Sequence, residues 1–157
     1  MGEVGLKKDV VLADGLDEIG QLVARVLTNV ILSRVFDRFP ELQMVSVESG
    51  VGWIPFILEA LDYEMTENAP HAKAALELLP SEYFKRQIYA TTWFERTDLA
   101  AIVDAVGEDS IMWETDYPHP TCLYPDPLKT ADENMRGLTP AVQRKILGET
   151  AAALYRL

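Results

Sequence analysis

The chain has 157 residues, and its 25 Asp and Glu against 14 Lys and Arg give a net charge of -11 at pH 7. An acidic chain whose basic residues are scattered repels polyphosphate backbones, so we expect no nucleic acid partner. Hydrophobic residues make up 48% and charged residues 25%, as in ordinary globular proteins, and no run approaches the roughly 20 apolar residues that cross a membrane. One domain over residues 1–157 is expected, with no membrane partner.

The start of the chain and its cysteine content bear on location. The first residues lack the apolar core of a secretory signal. The single cysteine, Cys122, cannot form an internal disulfide, which agrees with a reducing compartment. We therefore expect a cytoplasmic location.

The first predicted element is an amphipathic helix over residues 16–36, in which apolar residues recur at spacings of three and four. Asp14 is a suitable cap for its first turn. The helix should end before Pro40, because proline disfavours helical geometry in the residue that precedes it. Residues 43–47 then form a predicted buried strand.

A second helix is predicted over residues 53–65, with Pro55 in its first turn. A loop with a short helical piece should follow, and residues 87–92 should form the second strand. A helix over residues 98–106, stopped by Gly107, leads to a third strand at 110–114.

The last part of the chain is predicted to begin with an irregular segment. Prolines are frequent between Pro118 and Pro127, which favours a rigid rim or lid. Thr139 and Pro140 should open a closing helix, as a cap and a first-turn proline, and residues 151–157 should finish the chain as a helix.

The alternation of strands and helices predicts an α/β fold. Parallel strands need long crossover connections, and the segments between the predicted strands are long enough to supply them. About three parallel strands with crossover helices leave two open edges. Such a sheet calls for more strands or for a partner.

Two carboxylates follow predicted strands and are candidate catalytic residues. Asp116 follows the third strand and Glu48 the first, so they could act as a base and a positioning group or share a metal. Glu48 could instead bind the backbone amides of residues 50–52, and Asp116 could cap the turn at Tyr117. His119 could reach a substrate or a metal, or simply lie in the loop.

The other histidine and four aromatic residues have less specific interpretations. His71 follows a proline in a polar segment and is expected at the surface. The aromatic residues could line a pocket for an aromatic acid, but packing between helices and strands is the more common role. They are Trp53, Phe56, Trp93 and Phe94.

Four segments resemble a known family when they are taken in order. They cover residues 35–42 before the first strand, 48–55 after it, 115–120 after the third strand, and 145–155 near the end. The chain resembles the C-terminal half of amidohydrolase-related barrel enzymes, the group that includes aminocarboxymuconate-semialdehyde decarboxylase.

The resemblance implies a partial TIM-type (β/α) barrel whose strands are the sixth, seventh and eighth. In such enzymes a divalent metal, usually zinc, is held by a His-x-His pair, further histidines and an Asp on the last strand, and Asp116 matches that Asp. The His-x-His pair is absent here, so the site is incomplete. Glu114 stands where the family commonly has glycine, and Thr150 where it commonly has asparagine.

Three hypotheses follow from these observations. The first is a truncated or split metal-dependent enzyme that hydrolyses or decarboxylates a small carboxylated substrate, with Asp116 as metal ligand and base. The second is an inactive half-barrel that serves assembly, as a homo-oligomer or with a complementary N-terminal half. The third is a metal-free hydrolase that works through Glu48 and Asp116.

Overall fold

The computed structural model describes residues 22–157. Its first helix, α1, covers residues 22–32 of this range, and a second helix, α2, covers Val35–Arg38. The prediction of one continuous helix through residue 36 is wrong, because Arg34 has a left-handed conformation (φ 61) that breaks it. The break redirects the chain so that Phe36 is fully buried. Asp14 and the predicted start of this helix lie outside the described residues.

The sheet contains three parallel strands in the order β1-β2-β3. They are β1 (Met44–Ser46), β2 (Ile88–Thr92) and β3 (Ile111–Trp113). Met44 is paired with Ile88, and Ala90 with Ile111. The three predicted strands are confirmed, and each observed strand is slightly shorter than its prediction.

Helices connect the strands as parallel pairing requires. After β1 come α3 (Ile54–Tyr63), a π-helical turn (Glu64–Asn68), α4 (Pro70–Lys73) and α5 (Pro80–Gln87). After β2 comes α6 (Leu99–Val106), which Asp98 caps and which ends at Gly107 (φ 98). The prediction of one short helical piece before β2 is wrong, because α5 is a second helix there.

The C-terminal region is helical after an irregular segment. It contains α7 (Pro127–Asn134), α8 (Pro140–Arg144), a π-helical turn (Lys145–Glu149) and α9 (Thr150–Tyr155). Thr139 caps α8 as predicted, since its side chain accepts a bond from the Val142 amide. The helix α7 was not among the predicted elements.

The two faces of the sheet have different surroundings. Side chains alternate between the faces of a strand, and Ile88, Ala90 and Ile111 join the hydrophobic core with residues of α3, α5 and α6. Thr91 and Met112, on the opposite face, are also buried.

Between residues 22 and 157, none of the helices has the length and apolar character of a membrane span.

Candidate functional site

The ends of the three parallel strands bring the candidate residues to one edge of the sheet. Glu48 lies in the loop after β1, and Glu114 and Asp116 lie in the loop after β3. Because parallel strands share their direction, the loops after them emerge on the same side. The carboxyl edge of the sheet is therefore rich in carboxylates.

Asp116 has a largely buried side chain in an otherwise more open loop. Only 7% of the side chain is exposed, and the backbone is left-handed with φ 57. Its Oδ2 atom accepts hydrogen bonds from Thr121 Oγ1 at 2.9 Å and pairs with His119 Nδ1 at 3.0 Å. Side chains of its own loop thus orient this carboxylate.

His119 belongs to the same small network as Asp116. Its side chain is 60% exposed, and Nδ1 also lies 2.8 Å from Thr121 Oγ1. The His119 backbone N–H donates to the Asp116 carbonyl at 2.8 Å. The histidine can therefore steady Asp116 while most of its ring faces solvent.

Glu48 and Glu114 are linked through the backbone. The Glu48 amide donates to Glu114 Oε1 at 3.1 Å and to Thr91 Oγ1 at 3.2 Å. Glu114 therefore reaches across β2 to the loop after β1. The Glu48 residue itself is exposed and left-handed, with φ 54.

The pKa of Glu114 is raised above its usual value of 4.5. Burial is the largest cause, and the neighbouring carboxylates of Glu48 and Asp116 add repulsion of like charges. Hydrogen bonds from Thr91 and from the Glu48 amide act in the opposite direction. Glu114 is thus a half-buried carboxylate close to Glu48 and Asp116.

Glu95, and not Glu48, binds backbone amides of the loop that follows β1. Glu95 Oε1 accepts from the Val51 amide at 2.7 Å and from the Gly52 amide at 2.9 Å. That part of the prediction for Glu48 is therefore wrong. No local pattern marks Glu95, because more than forty residues separate it from the amides it binds.

The four aromatic residues do not share one environment. Trp93 is buried and contacts Phe94 edge to face at 4.5 Å between ring centroids, whereas Phe94 is 57% exposed. Trp53 donates its indole N–H to the carbonyls of Ser49 and Gly50. Phe56 on α3 is 72% exposed.

The described residues do not complete a metal site. Between residues 22 and 157 no group of three or more His, Cys, Asp and Glu side chains is arranged to hold a metal ion. His71 is exposed on α4, and Asp116 and His119 form a pair without a third ligand. Catalytic zinc typically has three protein ligands. Asp116 therefore needs partners from elsewhere to hold a metal.

Solved structures of amidohydrolases and decarboxylases are similar to this chain, whereas no curated protein matches it. An amidohydrolase from Mycobacterium avium subsp. paratuberculosis has a TM-score of 0.75 and 23% identity, over 85% of this chain and 33% of that one. The 5-carboxyvanillate decarboxylase LigW from Sphingomonas paucimobilis has a TM-score of 0.64 and 34% identity, over 82% and 38%.

A third similar structure is a dihydroxybenzoic acid decarboxylase from a Polaromonas species, with bound manganese and the inhibitor 2-nitroresorcinol. Its TM-score is 0.71 at 21% identity, over 88% of this chain and 41% of that one. The chain thus spans well under half the length of each of these structures, and its three parallel strands form part of a TIM-type barrel. The amidohydrolase family model matches residues 19–157, so the chain belongs to the amidohydrolase family.

Proposed function

We propose that this chain is a segment of a metal-dependent enzyme that decarboxylates a small carboxylated aromatic compound. The observation that carries the proposal is the position of Asp116. Its carboxylate is 7% exposed and lies directly after the last of three parallel strands, at the edge where barrel enzymes carry their chemistry. Family membership and the similarity to LigW support the choice of substrate.

Decarboxylation is preferred to hydrolysis on the evidence of the similar structures. LigW and the Polaromonas enzyme are both decarboxylases of carboxylated aromatic compounds. Hydrolysis of a small carboxylated substrate is the next candidate, because the family is named for hydrolases. The inactive half-barrel has no observation that favours it over these two.

The roles of the candidate residues follow from their contacts. Asp116 would be a metal ligand or a base, and His119 and Thr121 would hold its Oδ2 atom in place. Glu48 would act at the same edge as a base or a positioning group. Although several carboxylates lie at this edge, no three His, Cys, Asp or Glu side chains of the described residues are arranged as a metal-binding set.

A divalent metal would need further ligands from the rest of a barrel. The Polaromonas enzyme holds manganese, whereas the family resemblance implies zinc. We propose that a complementary N-terminal half supplies these ligands, either upstream in a longer chain or as a separate chain. Self-association is the alternative source of further strands.

The test is an activity assay on the chain together with any His-x-His segment encoded immediately upstream. Release of carbon dioxide is measured from 5-carboxyvanillate and from a dihydroxybenzoate, with zinc or manganese added. We expect activity that is lost in Asp116→Asn, because the amide cannot serve as a charged ligand or base. Asp132→Asn, an exposed aspartate on α7, is the matched control.

Two results would redirect the proposal. Full activity in Asp116→Asn would remove Asp116 from the chemistry. Activity that survives chelators but still requires Asp116 would support a metal-free enzyme that uses Glu48 and Asp116.

A further inference from the structure

The loop after β1 is shaped by contacts with its own side chains. We call residues 47–53 the rim loop. Ser49 Oγ lies 2.6 Å from Ser46 Oγ at the end of β1. The Trp53 indole donates to the Ser49 carbonyl at 3.0 Å and to the Gly50 carbonyl at 3.1 Å. These contacts fix the curvature of the rim loop.

Glu95 attaches the rim loop to the end of β2. Its Oε1 atom accepts from the amides of Val51 and Gly52, and its Oε2 atom accepts from Thr92 Oγ1 at 2.8 Å. Thr92 is 2% exposed, so the core holds this hydroxyl in place. Hydrogen bonds to a charged acceptor are stronger than neutral ones. The Glu95 carboxylate is thus a firm connection between two neighbouring loops.

Gly50 leaves the space that the Glu95 carboxylate fills. Its φ is +67, in the region that favours glycine. A Cβ atom at this position would lie 2.7 Å from Glu95 Oε1, closer than real Cβ contacts. The rim loop and Glu95 are therefore complementary in shape as well as in hydrogen bonding.

The rim loop also carries Glu48, the candidate catalytic residue after β1. The Glu48 amide is held by Thr91 and Glu114. Glu95 holds the amides three and four residues further along. The backbone of Glu48 is therefore fixed on one side by its own bonds and on the other by the bonds of Glu95.

We propose that Glu95 is a positioning residue that fixes the rim loop and so keeps Glu48 at the carboxyl edge of the sheet. Its carboxylate accepts hydrogen bonds from the backbone amides of Val51 and Gly52 and in this way holds the rim loop. The inference rests on the proposed function only for the catalytic role given to Glu48.

The test is amide hydrogen exchange measured by NMR on the whole chain, in the native protein and in Glu95→Ala. We expect exchange to become at least roughly tenfold faster at Val51 and Gly52, and also at Glu48, because the rim loop opens locally. Ala90, whose amide donates to the Ser110 carbonyl inside the sheet, should not change. Glu59→Gln, which alters an exposed carboxylate on α3, is the matched control and should change none of these rates.

The Glu48 amide decides between positioning and a merely structural contact. If Glu95→Ala makes amide exchange faster only at Val51 and Gly52, the effect of the bonds is local and the proposal is overturned. If exchange at Ala90 also becomes faster, the whole fold is weakened, and Glu95→Gln then provides the test. This variant can still accept bonds from the backbone amides through Oε1, and its Nε2 can donate to Thr92 Oγ1, but it has lost the negative charge that strengthens the bonds from Val51 and Gly52.

In Glu95→Gln we expect a smaller acceleration at Glu48 with Ala90 unchanged, and an unchanged Glu48 rate overturns the proposal. Neither readout involves a metal, a substrate or catalytic turnover. If the proposed function is wrong, these exchange rates can still be interpreted. If Glu95 does not position the rim loop, the proposed function is not contradicted.

Discussion

Asp116 and Glu95 show what a sequence can reveal about single residues. Asp116 stands in a motif directly after a strand, so its place at the carboxyl edge follows from local order along the chain. Its partner Thr121 was not predicted, although it lies only five residues away. Glu95 binds amides 44 and 43 residues distant, and only the packing of β1 beside β2 brings them together. Such contacts depend on tertiary structure.

At the same scale, the raised pKa of Glu114 predicts a pH-dependent stability. A carboxyl group whose pKa is higher in the folded state stabilises the fold when the pH lies below the usual pKa of that group. This contribution is lost as the pH rises through the raised pKa. Glu114→Gln stays neutral and can still accept the Glu48 amide. We therefore expect this variant to have a higher free energy of unfolding than the native protein at pH 7.

The difference should shrink and vanish below the usual pKa of 4.5, where Glu114 is protonated in both the folded and the unfolded state. Urea unfolding between pH 3.5 and pH 8, chosen to bracket that value, measures it. Glu133→Gln, at an exposed position on α7, controls for the general loss of negative charge. An equal gain in both variants would assign the effect to net charge rather than to the burial of Glu114.

At the scale of elements, local signals predicted the helices that carry them. Asp98 and Gly107 bound α6, and Thr139 with Pro140 begins α8. The helix α5 was not predicted, although its buried residues Pro80, Tyr83, Phe84 and Gln87 have helical spacing. Gln87 is polar and Pro80 is usually read as a break, so only Tyr83 and Phe84, both 1% exposed, mark the buried face as apolar in the sequence.

Two aspartates at helix starts allow a matched test of capping. Asp98 Oδ1 accepts from the amides of Ala100 and Ala101 at the start of α6. Asp126 occupies the same position before α7, but its side chain makes no capping bond. We expect Asp98→Ala to lower the free energy of unfolding by about 1 kcal/mol, the usual value of a lost cap.

Asp126→Ala should have a much smaller effect, since no capping bond is lost. Urea denaturation of both variants under the same conditions measures the difference. Equal losses would mean that the negative charge near each helix start, rather than the hydrogen bonds of Asp98, stabilises the helix.

At the scale of the whole molecule, the three-stranded sheet is part of a barrel, whose sheet is closed when complete. In a complete barrel, one face of each strand packs against helices and the other fills the interior. Here the first face belongs to the core through Ile88, Ala90 and Ile111. Within the described residues, β1 and β3 each pair with β2 alone. The sequence predicted this arrangement because the strand and helix patterns are local, whereas the matched parts cover only 33–41% of the similar structures.

Open edges and a half-covered face predict that the chain associates with other polypeptides. Unpaired strand edges offer hydrogen bonds to another chain, and Val45 on β1 and Tyr89 on β2 are only half buried on the face opposite the core. We expect sedimentation equilibrium to give a mass above the 17.6 kDa of one chain. Val45→Lys should lower this mass, because a lysine on an edge strand opposes pairing, whereas Leu128→Lys, at a 73% exposed position on α7, should not. A 17.6 kDa monomer at all concentrations, with metal bound one to one, would contradict both the open sheet and the incomplete metal site.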